Sequence, residues 1–316
     1  MQEQANMSPS WEREVVEKAL LASVDEHRRT RRWGIFFKII IFGYILFMTI
    51  YWFQGKPKQV LKEHVALIDL MGTIGHGQEV EADQIASSLR RAFDEPKVKA
   101  VILRINSPGG TPVQSAYIYD ELMRLRKKHK EKKVYAVVVD ICASGAYYVA
   151  AGADQIYANP SSIVGSIGVL MPGFGFVDIM KKVGVEQRSL SAGKNKMFMD
   201  PFKPENPEQI KYAQSLLDNV HKHFIDAVKA GRGDRIKGNP EELYSGLFWT
   251  GEKALELGLV DGLGSAGFVA REIIKVEEII DYSATHSLLD RLASRVGASM
   301  SKQLSSELGL NTQTLR

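Results

Sequence analysis

The feature that most limits how this chain can fold is an unbroken apolar run near its N-terminus. Residues 33–53 (WGIFFKIIIFGYILFMTIYWF) carry one charge, Lys38, close to the start of the run. At ~1.5 Å per residue a helix of this length covers roughly 31 Å, enough to cross a hydrocarbon core. Trp33, Tyr51 and Trp52 stand at its ends, where aromatic rings favour the membrane interface. The run therefore predicts a single transmembrane helix.

Two other interpretations of the run are a cleaved signal peptide and a buried core helix. The long polar region before the run and the lack of a small-residue cleavage site after it argue against a signal peptide. A core helix would not combine a nearly uncharged surface with aromatic residues at both ends. The arginines before the run are Arg28, Arg29, Arg31 and Arg32. By the positive-inside rule they predict a cytoplasmic N-terminus, with the chain after residue 53 on the other side.

The rest of the sequence divides into strand and helix patterns that alternate. Apolar strands are predicted over residues 64–72 and 98–107 and from Val134 onward, with amphipathic helices at 81–96 and 111–129 between them. This alternation predicts an α/β fold with mainly parallel strands and right-handed crossovers. The predicted segments are an N-terminal region (1–32), the transmembrane helix (33–53), a linker (54–63), one catalytic domain (64–282) and a polar tail (283–316).

Charge and cysteine content exclude several kinds of site. The one cysteine, Cys142, cannot form an intrachain disulfide, and the usual cysteine patterns of metal sites are absent. The basic run at 124–133 (RLRKKHKEKK) ends a predicted helix, where cations complement the helix dipole and face water. Neither this run nor the arginine cluster at 28–32 alternates with aromatic residues that could stack on bases, so we expect no nucleic-acid binding.

A lone hydroxyl, Ser144, stands where the third apolar strand turns into a helix (CASGAYY). One interpretation is a helix N-cap, for which serine is a preferred residue. The other is a nucleophile at a helix N-terminus, where backbone N–H groups and the helix dipole favour negative charge. Cys142 is a rival nucleophile, but its place inside the strand favours a core thiol.

A second loop of small residues, Pro108-Gly109-Gly110, follows the second strand. Ligands in α/β folds bind beyond the carboxyl ends of the strands, so this loop and Ser144 are expected to face one crevice. The N–H groups of Gly110 and Gly145 are then candidate donors to the oxyanion of an acyl-transfer reaction. Taken alone, the glycine pair fits a tight turn or a phosphate loop equally well.

The residues alone leave the base for this serine open. His64 and His76 flank the first strand and are candidates, since a base has to reach the crevice. His221 and His223 fall inside a long helix predicted from Pro207 to about Ala230. Lysine is the alternative, and the loop at 189–202 offers two among Met and Phe residues, Lys194 and Lys196. A lysine base has to be desolvated so that the neutral amine is available.

Five motifs in order give the chain a family resemblance: RINSPGG (104–110), CASGAYYVAAGAD (142–154), SIVGSIGVL (162–170), SAGKNKMFMDPF (191–202) and GEKALELGLVDGLG (251–264). Over roughly residues 60–270 the chain resembles the signal peptide peptidase A family, including its SohB-like members. This resemblance implies a Clp protease- and crotonase-like α/β fold of repeated ββα units. It also implies a bacterial inner-membrane protein with its catalytic domain on the periplasmic side.

The resemblance further implies a serine endopeptidase with a Ser/Lys dyad. Ser144 would be the nucleophile, Lys196 the general base, and Ser166 the residue that orients this lysine. The oxyanion and substrate-binding residues implied are Gly109, Gly110 and Gly145. The substrates implied are remnant signal peptides or other short hydrophobic peptides, with no metal or organic cofactor. The family assembles into homo-oligomeric rings, an octamer being one such arrangement.

Two alternatives belong to other classes of protein. Crotonase-type folds bind acyl-CoA thioesters at a similar backbone oxyanion site without proteolysis, although CoA is scarce outside the membrane. The second alternative is a membrane scaffold that has kept the fold without the chemistry.

Overall fold

The computed structural model describes residues 10–53 and 62–284. Contacts divide the chain into two units, Met1–Leu61 and Lys62–Arg316, which are described separately below. Most of the predicted linker (54–61) and nearly all of the predicted tail (285–316) lie outside the described residues. The predicted boundaries there stay predictions.

The described residues of the first unit form a single helix, α1 (Ser10–Phe53), which is about twice as long as the predicted membrane segment. The polar residues before the apolar run, predicted as a separate segment, continue the same helix. Within it, Arg31–Thr49 is long and apolar enough to cross a membrane by length and composition, and none of this window is buried. The helix therefore meets the requirements of the predicted anchor, while its orientation stays a prediction.

The second unit combines a central sheet with helices on its faces. The strands are β1 (His64–Met71), β2 (Val98–Ser107), β3 (Lys133–Ala143), β4 (Gln155–Ala158), β5 (Ile163–Gly165), β6 (Phe248–Thr250), β7 (Gly262–Leu263) and β8 (Ile279–Asp281). The helices are α2 (Ala82–Asp94), α3 (Pro112–Lys128), α4 (Gly145–Ala151), α5 (Val177–Val183), α6 (Pro207–Arg232), α7 (Pro240–Leu243), α8 (Gly251–Glu256) and α9 (Ala266–Phe268). A 3-10 turn, Gly233–Arg235, and a π-helical turn, Val269–Ile274, complete the set.

The strands form one sheet in the order β6-β5-β3-β2-β1-β8, with β4 beside β3 and β7 beside β4. Its pairings are parallel apart from the antiparallel pair β5 and β6. The same edge of β3 pairs first with β4, at residues 135–137, and then with β5, at residues 141–143. The sheet therefore splits just before Ser144. The predicted α/β fold with parallel pairing is confirmed.

The two faces of the sheet are covered to different extents. Alternate residues of the central strands, Ile68 and Leu103 among them, belong to an extensive buried cluster that includes residues of α2, α3 and α4. The opposite face buries a smaller cluster around Val65 and Ile102, which packs against the π-helical turn Val269–Ile274. Both faces are apolar because strands buried on two sides have no polar-facing positions.

Helix α4, which follows the candidate nucleophile, is held by a buried polar network. Tyr147 is fully buried and donates a hydrogen bond of 2.7 Å to the Leu259 carbonyl. Nearby, Arg232 is 1% exposed, pairs with Asp261 at 2.6 Å and donates to the Gly258 carbonyl at 2.8 and 3.0 Å. Burial alone would raise the pKa of Asp261, but the Arg232 hydrogen bonds outweigh it and lower that pKa. The network leaves this end of the core without an unpaired charge.

Candidate active site

Ser144 joins β3 to α4 in a conformation that L-residues rarely adopt, with φ 51° and ψ −126°. Its amide donates to the Gly165 carbonyl at 2.8 Å, and its carbonyl accepts from the Tyr148 amide at 3.0 Å. These contacts fix a strained backbone, as functional sites often do. The side chain occupies the N-cap position but accepts no hydrogen bond from the helix amides. The capping interpretation is therefore wrong, and the hydroxyl has no hydrogen-bond partner among residues 62–284.

The rival nucleophile, Cys142, lies two residues earlier in β3 and is fully buried. Burial raises the pKa of its thiol far above the ordinary value, because the thiolate would be desolvated. A neutral, inaccessible thiol is not a nucleophile. The core-thiol interpretation is confirmed.

The N–H groups of Gly110 and Gly145 lie close together beside Ser144. The residues on either side of Gly110 exchange hydrogen bonds of 2.8 and 2.9 Å with Ile74, so the Gly110 N–H points away from Ile74. A Cβ atom on Gly145 would lie 3.2 Å from the Gly110 nitrogen. Neither N–H donates a hydrogen bond within the described part of the second unit. Two unpaired donors that converge beside a hydroxyl are what an oxyanion site requires.

Glycine is required in this loop by close packing. Gly109 has a φ of +100°, and a Cβ there would lie 2.7 Å from the Gly145 nitrogen and 2.8 Å from the Ser144 Cβ. A Cβ on Gly110 would clash with the Ile74 carbonyl. The absence of side chains is what allows the loop to approach the turn that carries Ser144.

We expect Gly145→Ala to destabilise the protein and Ser115→Ala to restore most of the lost stability. The added Cβ would clash with the Ser115 hydroxyl oxygen, so the variant should lose about 1–3 kcal/mol of unfolding free energy, as overpacked sites do. Displacement of the Gly145 N–H should also lower kcat by roughly 10²-fold, the effect of losing one oxyanion donor. Ser115→Ala removes the clashing atom and leaves a Cβ at 3.3 Å, so the double variant should recover most of the stability.

Urea unfolding of the native protein, the two single variants and the double variant forms a double-mutant cycle. The cycle measures the coupling free energy between positions 145 and 115. If the two substitutions lower the free energy of unfolding additively, contact with the Ser115 hydroxyl is not the reason why glycine is required at position 145.

Ser144, Gly110, Gly145 and Ser166 line one cavity of about 720 Å³. Its walls are mainly apolar and come from α3, α4, α6 and the loop after Ser166; they include Val113, Tyr148, Leu170, Val220 and Phe224. A cavity of this size, with apolar walls and a few polar groups at one end, is typical of a site for a ligand with apolar groups. The structure thus brings together all but two of the predicted site residues, Gly109 and Lys196, and Gly109 packs directly behind Ser144.

Ser166 resembles Ser144 in its backbone. Its φ is 52°, its amide donates to the Leu247 carbonyl at 2.7 Å, and its carbonyl accepts from the Gly168 amide at 2.9 Å. Among described non-glycine residues, positive φ occurs at Ser144, Ser166, Met199 and Lys275. Both candidate serines are therefore in strained conformations at one cavity, a pattern typical of functional sites.

Lys196 does not line this cavity. Its side chain is exposed, and its amide donates to the Gly193 carbonyl at 3.0 Å within a turn. The aromatic residue that follows it turns away, since the Phe198 ring contacts the Tyr212 ring on α6 edge to face at 5.7 Å. The expected apolar surroundings of Lys196 are therefore wrong for the single chain, because the side chain faces solvent.

The neighbouring lysine, Lys194, is also exposed and lies 3.9 Å from an equally exposed Glu208 carboxylate. Such a solvent-exposed pair contributes little to stability. Lys194 therefore faces solvent, as Lys196 does.

The two candidate histidines lie away from the cavity. His64 is fully buried at the start of β1, and its ring nitrogens lie 2.8 Å from the Lys62 carbonyl and 2.9 Å from the Tyr282 hydroxyl. His76 is exposed, with its ring 3.7 Å from Glu81. Neither histidine is in a position to take a proton from Ser144.

A third histidine, His223, lines the cavity and was missed by the sequence analysis. Its place inside a predicted helix had argued against it, but α6 itself forms a wall of the cavity. The signal that could have found it is helical spacing, because His223 follows Val220 by three residues and precedes Phe224 on the same face. His223 is therefore the structural alternative to Lys196 as a base.

The second unit is an α/β fold in which the backbone of Ser144 is strained. Among residues 62–284, the Ser144 hydroxyl has no hydrogen-bond partner and lies beside two unpaired backbone N–H groups. A family model described as Peptidase family S49 matches residues 126–278. A putative protease of Synechocystis sp. is 35% identical over 208 residues, which cover 66% of this chain and 72% of that protein. The chain belongs to peptidase family S49. This confirms the resemblance to the signal peptide peptidase A family.

Two other relatives are matched over smaller shares of their length. A protein named Na(+)/H(+) antiporter NhaA, from Brucella melitensis, is 50% identical over 179 residues, 57% of this chain and 24% of that protein. A putative signal peptide peptidase SppA from Enterococcus faecium is 30% identical over 195 residues, 62% of this chain and 56% of that protein. The chain thus spans about a quarter of the first and about half of the second.

Proposed function

We propose that this chain is a serine endopeptidase that cleaves short hydrophobic peptides through an acyl-enzyme on Ser144. The observation that carries the proposal is the unpaired Ser144 hydroxyl in an apolar cavity, beside the two unpaired N–H groups of Gly110 and Gly145. Membership of a peptidase family supports the reaction class. Remnant signal peptides are the proposed substrates, since the cavity walls are apolar and a relative is named for this activity.

In the proposed reaction, the Ser144 oxygen attacks the carbonyl carbon of the scissile bond and its proton passes to the base. The carbonyl oxygen becomes an oxyanion that accepts hydrogen bonds from Gly110 and Gly145. Collapse of this intermediate breaks the C–N bond, and the leaving amine takes the proton from the base. A water molecule then adds to the ester by the same steps in reverse and releases Ser144.

We assign the base to Lys196 and its orientation to Ser166. Because Lys196 lies outside the cavity of its own chain, we propose that a second copy supplies it. The loop region between β5 and α6 supports this assignment, since it exposes many large apolar side chains: Leu170, Met171, Phe174, Phe176, Ile179, Val183, Val185, Leu190, Met199 and Phe202. Exposed apolar surface on this scale is typical of an interface, and we propose that the assembly is a homo-oligomeric ring.

We also propose that α1 anchors the enzyme in the membrane, with its N-terminus in the cytoplasm and the catalytic unit outside. Exposed Arg31 and Arg32 at the start of the apolar stretch support this orientation. An anchored enzyme would meet hydrophobic peptides where secretion leaves them.

Labelling with a fluorophosphonate probe tests the function. The intact protein should form a covalent adduct that peptide mass spectrometry places on Ser144, because such probes report an activated serine next to an oxyanion site. Cys142→Ala, the matched control in the same strand, should be labelled like the native protein. An intact protein that stays unlabelled would favour the acyl-binding or scaffold alternatives.

A further inference from the structure

We propose that the edge of the second unit where its parallel strands begin is a binding surface for anionic lipid headgroups. We call this surface the basic edge and define it by five exposed lysines: Lys62, Lys97, Lys127, Lys128 and Lys130. The proposal concerns a surface remote from Ser144; it rests on the proposed membrane anchor α1 and not on the peptidase mechanism.

The fold gathers these lysines from three separate parts of the chain. β1 and β2 begin side by side, since the His64 amide donates to the Lys97 carbonyl at 3.1 Å. α3 runs back along the sheet and ends at Lys128, at the edge where β3 begins. Buried Lys132 ties the segments together through its Nζ, which donates to the carbonyls of Phe93 and Glu95 at 2.6 and 2.7 Å. The basic edge is therefore built by tertiary structure and not by one charged run.

The five lysines of the basic edge form no ion pairs within the described second unit. Other cations nearby have partners: Arg126 and Lys133 lie 2.6 and 3.5 Å from Asp154, and Lys99 lies 2.7 Å from Glu63. The five lysines of the basic edge have no carboxylate within 4.0 Å in residues 62–284. The α3 dipole supplies only about half a negative charge at this end, so it cannot neutralise Lys127 and Lys128, the two cations of its last turn that form no ion pair.

A recess of about 750 Å³ opens beside the end of α3. Most of its lining side chains are cationic: Arg124, Arg126, Lys127, Lys130, Lys132 and Lys133, with Asp120 and Asp154 as the acidic ones. Lysine and arginine side chains around a recess of this size suit a phosphate-bearing headgroup.

A membrane lipid is the proposed owner of the headgroup, because the basic edge follows the candidate membrane helix α1 closely in the sequence. Helix α1 ends at Phe53, and the basic edge begins at Lys62. At ~3.6 Å per residue at most, the connecting residues span no more than about 32 Å. A connection of this length allows the basic edge to reach the headgroups of a membrane that α1 crosses, and cationic side chains near a membrane surface are attracted to anionic headgroups. Ser144 follows the far end of β3, roughly 35 Å away along the strand.

The test uses the full chain in nanodiscs of phosphatidylcholine, with or without phosphatidylglycerol, that contain a headgroup spin-labelled lipid as quencher. A fluorophore on Glu131→Cys reports from the basic edge, and one on Glu241→Cys reports from α7; both positions are exposed, and the native Cys142 is buried. We expect the label at position 131 to be quenched about threefold more with phosphatidylglycerol present, and this excess to disappear in ~1 M salt. The label at position 241 should not respond.

Two triple variants with the same net charge distinguish an effect of the basic edge from an effect of the protein's net charge. Reversal of Lys127, Lys128 and Lys130 to Glu should remove the excess quenching, whereas reversal of Lys211, Lys229 and Lys237 should leave it unchanged. Equal quenching with and without phosphatidylglycerol, equal quenching at the two label positions, or no effect of the first triple variant would each overturn the proposal.

Discussion

Replacing Ser144 with alanine should abolish peptide hydrolysis and leave the fold intact. Loss of the nucleophile should lower kcat/KM by roughly three to six orders of magnitude, equivalent to about 4–8 kcal/mol of transition-state stabilisation. The free energy of unfolding should change by less than about 0.5 kcal/mol, because the hydroxyl has no hydrogen-bond partner and alanine meets the same backbone strain. Hydrolysis of a fluorogenic apolar peptide and urea unfolding measure the two quantities.

Cys142→Ala is the matched control for this prediction. It removes a fully buried sulfur from the same strand, so it should cost about 1 kcal/mol of stability while kcat stays within about threefold of the native value. An inactive Cys142→Ala together with an active Ser144→Ala would reverse the assignment of the nucleophile.

The sequence predicts the parts of the site that depend on short-range patterns of apolar and small residues. Buried strands and amphipathic helices have distinct periods, so the order of β1, α2, β2, α3 and β3 follows from the sequence. Small residues after β2 and β3 mark the two loops that meet at Ser144, because carboxyl ends of parallel strands share one edge. The serine and its two candidate donors are therefore predictable together.

A register shift inside β3 is not visible in the sequence. Ile105 pairs with Val138, but two residues further along β2, Ser107 pairs with Cys142, so β3 contains a bulge. The Asn106 side chain fills the bulge, donating to the Asp140 carboxylate at 3.0 Å and accepting from the Ile141 amide at 3.2 Å. The apolar pattern alone predicts a regular strand, because a side-chain contact with the neighbouring strand creates the bulge.

The base could not be placed from sequence for a different reason. Lys196 lies in a long excursion between β5 and α6 that makes few contacts with the core, so no periodic pattern constrains its position. The position of His223 inside a helix gives no sign of a base until the face of α6 that lines the cavity is known. Substitution of Lys196 and of His223 distinguishes the two bases.

Lys196→Met should abolish activity, whereas Lys194→Met should change kcat by less than about threefold. Members of a catalytic dyad act as a unit, so loss of the base should cost roughly as much as loss of Ser144. In the single chain both lysine side chains are exposed, so neither substitution should unfold the protein. Peptide hydrolysis by the two methionine variants, matched in charge and volume, measures the difference directly.

Mixing two inactive variants tests where the base comes from. If a second copy supplies Lys196, oligomers that combine Ser144→Ala and Lys196→Met chains contain some sites with a native serine and a native lysine. Random assembly in a head-to-tail ring should restore about a quarter of the native activity. Absence of complementation in verified mixed oligomers would place the base in the same chain. Full activity of Lys196→Met with loss of activity in His223→Gln would assign the base to His223, since that side chain already lines the cavity with Ser144.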